Sequence, residues 1–153
     1  MEIIYRELNG GHDHHHEYHD EDHALLPPVA VRADRRTLAK TRWRAQAEDG
    51  TEFGFDLARP LHHGAAVFQS ERARYVIEQR PEALLRVAVT DPTEAARVGW
   101  MIGNLHFPAQ VRDGGIYVEA DLAIRQMLTR EHIPFEETEG VFQPLHAGGH
   151  HHH

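Results

Sequence analysis

The stretch Gly10–His23 reads GGHDHHHEYHDEDH, and it limits the fold more than any other part of the chain. It has no apolar periodicity and no face to bury, so it cannot contribute to a packed core. It predicts a mobile loop over residues 10–24, with the folded body built from what lies on either side. That body must hold together without disulfides, because the chain has no cysteine. Thiolate metal sites and cysteine nucleophiles are excluded for the same reason. A length of 153 residues suffices for one ordinary domain or two small ones.

Charge and histidine content point in one direction. The net charge is −8 with histidine neutral. Asp13, Glu17, Asp20, Glu21 and Asp22 concentrate much of it beside the histidines of the same stretch. Nucleic-acid binding needs a positive footprint, so this pattern opposes it and favours cation capture. The 15 histidines offer nitrogen ligands, which suit nickel, zinc, copper and iron better than magnesium or calcium. No apolar run approaches the roughly 18 residues of a membrane span. Met1 to Gly11 lacks a basic region followed by an apolar run, so no secretory signal is expected and the cytoplasm is the expected compartment.

The rest of the chain reads as α+β. Residues 2–8 form a candidate first strand. From Val29 to about Gln79 the pattern alternates, with strands over 29–33, 43–47, 51–57, 65–70 and 73–79 and an Asp49-Gly50 turn between the second and third of these. This predicts a small β-rich domain over 1–80, bounded at Arg80-Pro81. Residues 82–89 then read as a buried strand. Asp91 is a candidate helix N-cap, with Pro92 at the first helical position and Glu94 completing a capping box. Ala95, Val98, Gly99 and Ile102 share a face of that helix. Strands near 107–112 and 115–119 flank Asp113-Gly114-Gly115. A second helix runs from Asp121 to about His132 with Leu122, Ile124, Met127 and Leu128 as apolar positions. Pro134 ends it, and 135–139 is a last strand. The order βαββαβ predicts a ferredoxin-like domain over 81–146, followed by a disordered tail over 147–153.

Within the second half, His106 lies between a helix end and a strand, constrained by Gly103 and Pro108. Two readings are open: a helix-end histidine placed at the negative end of the dipole, or a rigid, exposed metal ligand. Spacing alone favours the first. His12, His14, His15, His16, His19 and His23 alternate with carboxylates and read as flexible divalent-metal ligands rather than a merely solvated loop. Their affinity is expected to rise with pH through the histidine range near ~6.5, since a protonated imidazole cannot ligate. His150, His151, His152 and His153 either belong to the same metal chemistry or are a tag remnant. His146 follows the last folded segment and is placed to swing back toward His106. His62, His63 and His132 read as structural or simply exposed.

The run Gly103-Asn104-Leu105-His106-Phe107-Pro108-Ala109-Gln110 resembles the Gly-Asn-basic-His-x-Pro-x-Gln signature of the UreE family of urease accessory proteins. The likeness extends to the helix before it, the hairpin after it, the Phe142-Gln143-Pro144 segment and the β-rich first half, and covers about Val29 to the C-terminus. Histidine-rich tails also occur in many members. The resemblance implies a cytoplasmic nickel metallochaperone that is a homodimer of two-domain subunits. It implies an N-terminal domain that contacts partners and a ferredoxin-like domain that forms the dimer. His106 matches the family's metal ligand at the dimer interface, where a two-fold axis brings two imidazoles together. A C-terminal histidine completes the site in some members, a role that would fall to His146. The implied partners are a urease accessory GTPase and the urease activation complex. Two features depart from the pattern. Leu105 stands where the family usually has a basic residue. Residues 117–122 carry no histidine where some members have further ligands, and Glu119 and Asp121 are not assigned in their place.

Three function classes follow. A nickel chaperone needs His106. A histidine-rich storage or buffer protein for nickel, zinc or copper needs only the tails and no dedicated partner. A metallohydrolase lacks support, because there is no HExxH, no Ser-His-Asp arrangement and no phosphate-binding glycine loop. The choice of nickel rests on the resemblance, since affinity alone favours copper and zinc or copper binding in vitro is compatible with these ligands.

Overall fold

Alternation of apolar and polar residues builds the first half. A computed structural model describes residues 1–8 and 26–146, so the loop expected over 10–24 and the tail expected over 147–153 lie outside the described residues. The chain divides into two compact units, Met1–Arg80 and Pro81–His153. In the first, the strands are β1 (Glu2–Ile4), β2 (Pro28–Ala33), β3 (Arg42–Gln46), β4 (Glu52–Asp56), β5 (Ala66–Gln69) and β6 (Arg74–Gln79). They form two three-stranded sheets, ordered β1-β4-β3 and β2-β6-β5. The hairpins β3–β4 and β5–β6 are antiparallel, whereas β1–β4 and β2–β6 pair in parallel. No local turn announces the parallel pairs, and alternation along one strand does not reveal its partner. A helix not expected from the sequence, α1 (Arg35–Leu38), follows β2, capped by Asp34 through the Thr37 amide. A single turn is too short to show a helical period.

Phe53, wholly buried, centres this unit's core. Its ring lies 5.1 Å from Tyr75, 5.8 Å from Phe68 and 6.2 Å from Phe55, centroid to centroid. The Asp49-Gly50 turn that joins β3 to β4 is held from outside. Gly50 takes a positive φ of 92°, and the Asp49 carboxylate accepts the Thr51 amide at 3.0 Å and the Tyr75 hydroxyl at 2.6 Å.

The second unit contains β7 (Glu82–Ala88), α2 (Pro92–Asn104), β8 (Ala109–Arg112), β9 (Gly115–Glu119), α3 (Leu122–Arg130) and β10 (Glu136–Gly140). Its four-stranded sheet has the order β10-β7-β9-β8, every neighbour antiparallel. Leu85 and Val87 of β7 and Ile116 and Val118 of β9 meet Val98 and Ile102 of α2 and Ile124, Met127 and Leu128 of α3 in one core. The opposite sheet face buries Leu84 and Tyr117 against Phe142. Three local expectations need correction. Asp91 does cap α2 through the Thr93 amide, but Glu94 forms a two-bond ion pair with Arg97 instead of closing a capping box. Gly99 is exposed rather than on the buried face of α2. Leu122 is also exposed, because it sits at the first position of α3, before the helix turns its apolar stripe inward. Among the described residues no helix is long and apolar enough to cross a membrane.

Two outcomes are expected from this architecture. Phe53→Ala removes a buried ring that touches three others and should cost about 3–5 kcal/mol in urea unfolding followed by circular dichroism. The Tyr75 hydroxyl and then the Thr51 amide hold the Asp49 carboxyl below its ordinary value. The stability this contributes is complete above the unfolded carboxylate pKa of about 3.9 and is lost as pH falls through the lower folded value. Tyr75→Phe should therefore lower the urea midpoint near neutrality, and the gap to the unaltered protein should narrow as the titration is repeated toward pH ~3.

Candidate functional site

Helix α2 needs a stop, and the residue that supplies it is His106. After Asn104 the chain passes through Leu105 and reaches His106 at φ 61°, in the left-handed region. Its amide donates to the Gly103 carbonyl at 3.0 Å, satisfying one of the helix's terminal acceptors. That position usually carries glycine, which adopts it without steric cost. Phe107 then packs against the helix-face core, and Pro108 leads into β8. The backbone on both sides of the histidine is thus anchored while its side chain is exposed. Both readings left open by spacing find a basis here: His106 ends a helix, and it presents an imidazole from a fixed backbone.

His132 gives an internal comparison. It follows α3 at the same offset, has φ 56°, and donates its amide to the Thr129 carbonyl at 3.2 Å. Ile133, like Phe107, turns inward, and Pro134, like Pro108, follows. The left-handed conformation is therefore this chain's repeated way of ending a helix and does not by itself mark a ligand.

The surroundings separate the two histidines. Past Gly140 the chain leaves edge strand β10, buries Phe142 between Leu84 and Tyr117, and arrives at the other edge strand, β8. There the Gln143 amide donates to the Gln110 side-chain carbonyl at 3.1 Å, and the Leu145 amide donates to the Ala109 carbonyl at 2.8 Å. His146 is therefore one residue beyond a bond to Ala109, which is itself three residues beyond His106. Tyr117, which holds Phe142, is fixed in turn: Arg86 donates to its hydroxyl at 3.0 Å, and the Arg112 guanidinium lies 3.9 Å from its ring centroid. The neighbouring elements also expose apolar side chains, namely Trp100 on α2, Leu105, Val111 on β8 and Leu145.

The other candidate residues are accounted for separately. His63 accepts the Gln79 amide on Nδ1 at 3.0 Å, which commits one ring nitrogen to the backbone. His62 lies 3.9 Å from the Glu7 carboxylate. Asp121 is occupied as the cap of α3, accepting the Ala123 amide at 2.8 Å. His12, His14, His15, His16, His19, His23, His150, His151, His152 and His153 fall outside the described residues. Among the described residues no three histidine, aspartate or glutamate side chains converge as a ready metal cage. Among the described residues, His106 and His146 are the exposed histidines nearest in fold position to the start of β8, and neither belongs to such a group. The left-handed backbone at 106 and 132 has one signal in the sequence, a His-apolar-Pro triplet after each helix.

His106→Gly and His106→Ala both delete the imidazole, but only glycine relieves the positive φ. The glycine variant should be the more stable of the two by about 1 kcal/mol in thermal or urea unfolding. Equal stabilities would mean that the backbone there is not held in the left-handed region.

Comparison with known proteins identifies the family. Residues 82–153 match the family model described as UreE urease accessory protein, C-terminal domain. The urease accessory protein UreE of Pseudomonas fluorescens (strain SBW25) is 37% identical over 85% of this chain and 85% of its own length. Proteins of the same name from Burkholderia lata and a Chelativorans species are 33% and 30% identical, over 84% and 80% of this chain and 67% and 84% of theirs. With one relative matched along most of both chains and the family's C-terminal domain spanning the entire second unit, this chain belongs to the UreE family of urease accessory proteins.

Proposed function

We propose that the protein is a nickel metallochaperone acting in urease maturation in the cytoplasm. In this reading it is a homodimer that hands Ni²⁺ to a urease accessory GTPase within the activation complex, and it is not itself an enzyme. Residues 81–146 are the metal-binding and dimerisation domain. Their βαββαβ order and β10-β7-β9-β8 sheet support a ferredoxin-like assignment. Residues 1–80 are a β-rich partner-facing domain carrying the histidine and acid stretch, and 147–153 are a histidine tail.

The observation that carries this reading is the exposed imidazole of His106 on an anchored backbone, with too few ligands around it among the described residues to close a site. A two-fold axis supplies a second His106 without any further residue type. The exposed Trp100, Leu105, Val111 and Leu145 on the elements flanking His106 give such an axis apolar surface to bury. A site shared between subunits and completed by His146 and terminal histidines releases its ion more readily than a closed cage, as delivery requires. Neutral imidazole ligands make loading favourable above the histidine pKa range and unfavourable below it.

The competing reading is a histidine-rich store for nickel, zinc or copper. The high histidine content of 12–23 and 150–153 favours it, and it has no need of His106. Calorimetric nickel titration separates the two. It uses the full-length chain with His12, His14, His15, His16, His19, His23 and His150 to His153 replaced by asparagine. About one tight Ni²⁺ per two chains should remain, as a shared two-fold site requires, and His106→Ala should remove it. Retention of that affinity in His106→Ala, or no tight binding before it, would transfer the metal chemistry to the terminal stretches and put storage first.

A further inference from the structure

We infer that residues 141–145 are a positioning strap, with Phe142 as its anchor, that sets the distance at which His146 is delivered to His106. The inference rests on the nickel reading above and adds the residue on which its geometry depends.

The strap's length is the first argument. It leaves the sheet at Gly140 on one edge, β10, and is bonded to β8 on the other edge by Leu145. Four strands spaced about 4.8 Å apart put those edges roughly 14 Å from one another. Five residues reach at most about 17 Å when extended. The segment therefore crosses with little slack, and the positions of its last residues follow from its point of attachment.

Its direction is the second. Gln143 bonds to Gln110 and Leu145 to Ala109. The segment thus runs opposite to β8, toward the strand's start, and His146 continues toward Pro108 and His106. The third is the anchor. Phe142 is wholly buried against Leu84 and Tyr117, and Tyr117 is clamped by Arg86 and Arg112. Neither hydrogen bond near the end of the strap would hold an extended segment by itself. A buried phenylalanine is worth more than both.

The test combines two readouts on the full-length, asparagine-substituted protein. Hydrogen exchange at the Leu145 amide reports strap docking without metal. Nickel calorimetry reports the site. Phe142→Ala should speed Leu145 exchange and weaken nickel binding on the order of tenfold, as loss of ligand positioning typically does. His146→Ala should weaken binding by a similar factor while leaving Leu145 exchange slow, and the double variant should be no weaker than either single one. Fast Leu145 exchange with unchanged nickel affinity would overturn the inference. So would additive losses in the double variant. Unchanged affinity in His106→Ala would overturn the nickel reading instead, a distinct result. Should Phe142→Ala fail to fold, Phe142→Leu removes the ring while keeping the position apolar, and the same ordering of exchange and affinity applies to it.

Discussion

Burial of Val98 and Ile102 beneath the sheet is the interaction on which the second unit's site depends. It fixes the rotation and height of α2, and Asp91 fixes where the helix begins. The end of the helix is then determined to within a residue or two, because Phe107 must return to the same core. Between a buried Ile102 and a half-buried Phe107 the chain must reverse within one turn, and a left-handed residue accomplishes this. His106 occupies that place. The exposure of its imidazole is a consequence of the packing on either side of it rather than of any preference of histidine for water.

The two faces of the same sheet do different jobs. The helix-side face is apolar and supplies cohesion. The other buries a smaller cluster, Leu84, Tyr117 and Phe142, with Arg86 and Arg112 on Tyr117. Arg86 also pairs with Glu136, and Arg125 with Glu137, so β10 is tied to its surroundings through charge as well as backbone bonds. An edge strand rich in exposed glutamates is protected against pairing with other chains.

Much of this was legible in the residues. Alternation located most of the strands because each has one buried face. The caps at Asp91 and Asp121, the prolines after the helices and the Asp49-Gly50 turn located the boundaries, because each acts over a few residues. What was not legible depends on partners distant in sequence. The parallel pairs β1–β4 and β2–β6 have no local signature. Gly99 and Leu122 look apolar in a helical wheel but are exposed, while Val98, Ile102, Ile124, Met127 and Leu128 are buried in the core and Met101 packs against it. Glu94 satisfies the capping-box pattern, yet Arg97 one turn on offers it a stronger, charged donor. At the site, the motif pointed to His106 and the chain order pointed to His146. The route between them required knowing that Phe142 crosses the sheet.

The parallel pairing of β1 with β4, together with the bond from the Leu8 amide to Ala66, has an evolutionary corollary. It pins the chain just before the histidine and acid stretch, and pairing of Pro28 with Arg74 pins it just after. The sequence of the stretch thus runs between two fixed posts. Closing such a segment costs only about 0.6 kcal/mol more for each doubling of its length. Its length and histidine number are consequently free to drift between lineages with little penalty to the β unit that carries it. The chain's histidine content can change by insertion or deletion at this one point, independently of the packing that shapes the rest of the molecule.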